Sequence, residues 1–184
     1  MPVFPGTLTG GYTTGSGAPA GTGTNGDEYY DYTNFRYYRS DGVGWIILSE
    51  PMQTFTPTLT QSATVTKTIT EASYQRSGGR CRGNVQLAIT GAGTAANAVV
   101  CGLPIASAVL QYSSIGAGRL YDVSANLTYP FILEMAASNV TARGCPSTAP
   151  ASNFIGVSEF TAGLASGGDT LTYFFDFPMN TPYL

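Results

Sequence analysis

The sequence predicts an all-β chain: a jelly-roll-like β-sandwich with an extended N-terminal arm and a small β-hairpin. Three observations predict it. Of 184 residues, 23 are glycine and threonine is abundant, while Leu, Lys and Glu are scarce, so strong helix formers are largely missing. Aromatic residues make up 12%, and β-branched residues are plentiful, which suits half-buried pleated surfaces and not a disordered chain. From Thr58 onward, short runs of period-two alternation recur about every ten residues between Gly-rich turns, the pattern of a sandwich.

Three regions follow from this reading. Residues 1–25 form an arm rich in Gly, Thr and Pro. Alone such an arm is flexible, so Val3, Phe4, Leu8 and Tyr12 are its candidate anchors, either on a neighbouring protein or back on its own domain. Residues 26–57 form an aromatic hairpin connector. Its arms are expected near Glu28–Tyr32, Phe35–Arg39 and Gly44–Leu48, with turns at Thr33-Asn34 and Ser40-Asp41-Gly42. Asp-Gly between extended aromatic runs is a strong hairpin signal, because Gly accepts the positive φ of a tight turn. Pro51 and Pro57 forbid a helix after it, and Phe55 is expected to plug the next domain.

Residues 58–184 form the sandwich. Thr58–Thr70 reads as one half-buried strand with Leu59, Ala63, Val65 and Ile69 inward. A short segment, Glu71–Gly78, leads to the Gly78-Gly79 turn. Arg80–Thr90 alternates cleanly, with Cys81, Val85, Leu87 and Ile89 inward and Arg82, Asn84 and Gln86 outward. Asn97–Leu103 follows in the same style, and Ile105–Ile115 suits one helical turn or an extended run. Arg119–Asn126 and Tyr129–Ala136 read as strands, with Pro130 marking an edge or a strand start. Ser138–Ala151 reads as a loop and Phe154–Phe160 as a strand. In the last strand, Leu171, Tyr173, Phe175 and Phe177 share one phase.

Composition narrows the function. Charged residues are only 10% and the net charge is −3, with no basic block, so no nucleic-acid surface is expected. So few charges on a chain of this size suggest a surface covered by other subunits. The cluster Arg76, Arg80 and Arg82 reads as local pairs or a subunit contact. Cys81, Cys101 and Cys145 are odd in number and lack CxxC spacing, and there is no histidine, which argues against structural zinc; Cys81 and Cys101 fall in phase with inward apolar positions and read as small buried hydrophobes of a protein made in a reducing cytosol. The opening MPVFPGTLTGG lacks the charged and apolar regions of a signal peptide. No apolar run approaches the roughly 18 residues of a span, so no membrane insertion is expected.

Two stretches resemble known sequences. GTGTNGDEYYDYTNFRYYRSDGVGW is similar to a short module of phage tail fibres and related virion proteins: a Gly-rich lead, then Gly26-Asp27, Tyr30-Asp31, Tyr37-Tyr38 and a terminal Trp45. Thr54 to Leu103, with TFTPTLTQ, ASYQRSGGR and TGAGTAANAVVCGLP, resembles the β-sandwich of actinobacteriophage minor tail and other virion surface proteins, with Phe55 where a Trp is common. The resemblance implies a virion surface protein, usually trimeric, assembled in the host bacterial cytoplasm. Its partners would be the major capsid protein or tail proteins, as a capsid decoration protein, head fibre or compact tail-tip protein. It carries over no catalytic residues.

No catalytic residue, cofactor or metal is expected. Without histidine there is no Ser-His-Asp or Cys-His apparatus. Glu134 and Glu159 show no glycosidase-like pairing, and Asp27, Glu28 and Asp31 read as turn caps before they read as calcium ligands. The aromatic cluster carries the functional expectation. Tyr30, Tyr32, Phe35, Tyr37, Tyr38 and Trp45 (with Tyr29 beside them) form an interface with a neighbouring protein, a stacking platform for a host surface glycan, or a mini-core within one subunit.

Overall fold

The computed structural model describes residues 10–91, 98–109, 113–123, 126–136, 138–146 and 168–180. Val3, Phe4, Leu8, Glu159 and the expected strand Phe154–Phe160 lie outside the described residues. Among the described residues every regular element is a strand. The fold is all-β with β-sandwich character: a four-stranded sheet, and a ten-stranded sheet curled as a half-barrel. Contacts divide the chain into two units. One holds residues up to Pro51 with Gln75–Arg80, and the other holds Met52–Tyr74 and Cys81–Asn180.

The first unit contains β1 (Tyr12–Gly15), β2 (Glu28–Asp31), β3 (Arg36–Ser40) and β4 (Trp45–Ser49), in that spatial order. The last three coincide with the three expected hairpin arms. β2, β3 and β4 are antiparallel neighbours, whereas β1 runs parallel to β2, with Tyr12 opposite Glu28 and Gly15 opposite Asp31. The described part of the arm is therefore folded back on its own domain, the second of its two expectations.

The second unit contains β5 (Gln53–Thr54), β6 (Leu59–Gln61), β7 (Ala63–Thr64), β10 (Val100–Gly102), β11 (Ser114–Asp122), β12 (Leu127–Met135), β13 (Thr141–Pro146) and β14 (Thr170–Pro178). The long strands β8 (Lys67–Ser77) and β9 (Arg80–Ile89) belong to it except at their shared tip. Sheet order is β5-β8-β9-β14-β11-β12-β13-β10-β6-β7. The alternation expected on β9 and β14 holds, with Cys81, Val85, Leu87, Ile89, Leu171, Tyr173, Phe175 and Phe177 all buried. Fully burying such an apolar side chain is worth about 1.5–3 kcal/mol, and this face is the core. Phe55 does plug it, edge-on to Tyr74 at 5.8 Å and to Phe175 at 6.1 Å. β5 pairs with Ser73 and Tyr74 of β8, so residues 52–57 belong with this unit.

Four local expectations are corrected. Thr58–Thr70 is not one strand, because Ser62 takes φ 66° and folds β6 back onto β7, leaving Ala63 and Ile69 exposed while Leu59 and Val65 are buried. Glu71–Gly78 is the second half of an 11-residue strand. Ser138–Ala151 contains β13, which pairs with both β12 and β10. Its Ala142, Arg143, Gly144 and Cys145 are all buried, so no period-two signal announces it. Pro130 lies inside β12, an interior strand, opposite Arg119 of β11, and so neither at a sheet edge nor at a strand start. None of the three cysteines forms a disulfide, and all three are buried.

Candidate functional site

Carboxylates at turn positions shape the first unit. Asp31 ends β2, and its Oδ1 accepts the backbone N–H groups of Gly17, Thr33 and Asn34, while Oδ2 accepts Asn34 Nδ2 at 2.7 Å. Burial works against its charge, but these donors prevail and hold the carboxyl below the ordinary 3.8. Asp27 accepts the N–H groups of Thr24 at 2.7 Å and Gly11 at 2.8 Å, and those two bonds likewise lower it. Asp41 closes the β3–β4 turn through Val43 and Gly44, with Gly42 at φ 87° as the Asp-Gly signal requires. Asp27 and Asp31 are thus turn caps, and Glu28 accepts the Tyr37 hydroxyl. No group of three or more metal-type ligands occurs among the described residues.

The strand register sorts the aromatic cluster onto two faces. Tyr29 stands opposite Tyr38, and Tyr38 opposite Ile47, so they share one face with Ser40 and Trp45. Tyr38, Trp45 and Ile47 are buried there, with Tyr29 edge-on to Trp45 at 6.1 Å. Gly23, at φ 67°, passes so close that a Cβ would lie 2.7 Å from the Trp45 ring. Ser40 Oγ donates to the Thr22 carbonyl at 2.6 Å and tethers the same stretch. For Tyr38 and Trp45, then, the mini-core expectation is the one that holds. Burial pushes the Tyr38 hydroxyl up, with the neighbouring Arg36 opposing.

The other face is only partly covered, with Tyr30 and Tyr37 half-buried. Tyr30 stands opposite Tyr37, and the exposed ring of Tyr12 lies 6.4 Å from that of Tyr37. The hydrogen bond to Glu28, with burial, pushes the Tyr37 phenol up to about 12. Two clefts, of about 220 and 230 Å³, flank Arg39, one beside Tyr12 and Glu28 and the other beside Ile46 and Leu48. At the β2–β3 turn Tyr32 is 55% and Phe35 65% exposed, and Phe35 takes φ 54°. A bulky side chain at positive φ is strained, by an amount on the order of 1–3 kcal/mol. The turn holds it because Asp31 clamps the two residues before it.

One feature of the unit is hidden from sequence reading. The Glu50 side chain is fully buried, takes a two-pronged bond from Arg76 at 2.8 Å on both prongs, and has Arg36 Nε 3.1 Å away. The Arg76 backbone N–H, Gln75 Nε2 and Ser77 Oγ add bonds to Glu50 and Leu48. Arg76 is thus in an ion pair within its own unit, the first of the two expectations for the arginine cluster. Its partner lies 26 residues away in sequence, so only the fold reveals it. Of the carboxylates weighed for hydrolysis, Glu134 is held by Arg143 at 3.2 Å and by the Cys145 thiol at 3.3 Å. Burial, then this carboxylate, pushes that thiol up to about 12.

No family model, curated protein or solved structure matches this chain.

Proposed function

We propose that the chain is a non-enzymatic structural protein on the surface of a tailed-phage virion, where the first unit attaches it to a neighbouring virion protein. The neighbour is the major capsid protein or a tail protein, and the assembled form is a homotrimer. The sequence resemblance sets this class. The observation that supports the attachment reading is Phe35: a large ring, 65% exposed, held at φ 54° on a turn locked by Asp31. The positive φ closes the β2–β3 turn, a task a glycine would perform without strain, so the large exposed ring is what the monomer does not need. A pre-organised aromatic tip binds well because its ordering cost is met before binding. The face carrying exposed Tyr12 and half-buried Tyr30 and Tyr37 supplies further area with polar handles.

Two substitutions and a label test this. Phe35→Gly relieves the strain, so the isolated protein should be equally or slightly more stable, by up to about 1 kcal/mol. The same variant, and Tyr37→Ala, should fail to associate with purified particles. Antibody labelling of intact particles by electron microscopy should decorate them with the wild-type protein. Unlabelled particles, or full incorporation of both variants, would overturn the proposal.

A further inference from the structure

The second unit carries a groove that the attachment reading does not use. It lies on the solvent face of the ten-stranded sheet, across the interior strands β9, β14 and β11, with a volume of about 470 Å³. That falls within the roughly 300–1,000 Å³ of small-ligand sites. Phe174 forms one wall and is 53% exposed, while its register partner is only an alanine, Ala117. Asn84, Gln86, Glu71 and Arg119 converge around the depression. A second depression, of about 350 Å³, shares Asn84 and Phe174 and adds Met52, Arg82 and Asp176.

We infer that this groove binds a short neutral carbohydrate stacked on Phe174. The chemistry excludes the other common occupants in turn. Its acids and arginines are balanced, Glu71 with Arg119 and Asp176 with Arg82, so no net field attracts phosphate or a polyanion. The strands beneath it are paired on both sides, so an extended peptide finds no sheet edge to join. The groove is open and floored by a small side chain, which suits a flat ring better than an apolar ligand that needs enclosure. A sugar ring presents C–H bonds of slight positive charge to the negative face of an aromatic ring. Its hydroxyls are both donors and acceptors, as are the carboxamides of Asn84 and Gln86, with Glu71 accepting and Arg119 donating. The two depressions side by side give room for more than one sugar unit.

The test is saturation-transfer NMR on the purified full chain with chitotriose, cellotriose and mannotriose, each in excess. At least one should receive saturation on its ring C–H protons. Phe174→Ala should weaken that signal roughly tenfold, the worth of one aromatic stacking contact. Asn84→Ala should weaken it as well, and Phe35→Gly, in the other unit, should leave it unchanged. Phe174 is exposed, so Phe174→Ala keeps its melting temperature and any lost signal is read as lost binding. No transfer from any of the three sugars, or transfer unaltered by Phe174→Ala, overturns the inference. Self-association abolished by Phe174→Ala, without sugar transfer, overturns it in favour of a second copy of the chain.

Discussion

The two units are held together by different physics. Among the described residues, the apolar cluster of the first unit is Tyr38, Trp45 and Ile47, whereas that of the second runs from Leu59 to Met179 through twenty buried side chains. The second unit is an ordinary burial product: alternating strands place one apolar face inward. The first has too little apolar area for that. Asp27, Asp31, Ser40, Asp41 and Glu50 instead accept hydrogen bonds that fix its turns and the tip carrying Arg76. A small sheet built in this way can leave aromatic rings outside, since its stability does not depend on burying them. It is also more fragile, because removing one partner leaves another buried polar group unsatisfied.

Trp45→Ala should break this contrast most visibly. Losing a buried tryptophan costs about 3–5 kcal/mol, and the first unit has few contacts to replace it. Hydrogen exchange should show β1–β4 losing protection while β9, β11 and β14 keep theirs. Glu50→Gln should come next, at about 3 kcal/mol, since it leaves two guanidinium groups facing a neutral amide in a buried site. Denaturant unfolding, followed by the fluorescence of Trp45, the single tryptophan, should report that loss. The smallest effect concerns Tyr37. Its phenol should titrate near 12 in ultraviolet absorbance, and Glu28→Gln should return it toward 10. Because the folded value is raised, this bond stabilises fully below the unfolded value and is lost as pH rises through the folded one.

Much of this was legible from sequence where one residue type dominates one face. Val85, Leu87 and Ile89, or Leu171, Tyr173, Phe175 and Phe177, announce their strands by alternation alone. β13 escaped because Ala142 to Cys145 are buried without alternation, and Ser62 because nothing in its type demands a positive φ. The aromatic stretch was legible as strands but not as faces, because both of its faces carry rings. The pairings Tyr38–Ile47 and Tyr30–Tyr37 decide which rings go in, and register is a property of the folded sheet. The spacing Tyr38, Ser40 against Tyr37, Arg39 held the signal, since a small hydroxyl tolerates burial and a guanidinium does not. The Phe174 groove depends on Ala117 lying opposite, which requires the β11–β14 register.

Acid separates the two units most directly. Asp27 and Asp31 have folded values below 3.8, so their stabilisation is present above the unfolded value and is lost as pH falls through the folded ones. In the second unit, burial and the nearby Asp122 raise Asp169 above 3.8, against the Val123 N–H that its carboxylate accepts. Its contribution has the opposite sign: present at low pH, and lost as pH rises through the folded value. Native-state hydrogen exchange, corrected for intrinsic rates and followed from neutral pH to below about pH 4, measures both units in one sample. Loss of protection in β1–β4 while β9–β14 stay protected is the expected result. Equal loss in both, or earlier loss in β9–β14, would contradict the division of the molecule into a carboxylate-fastened unit and a core-built one.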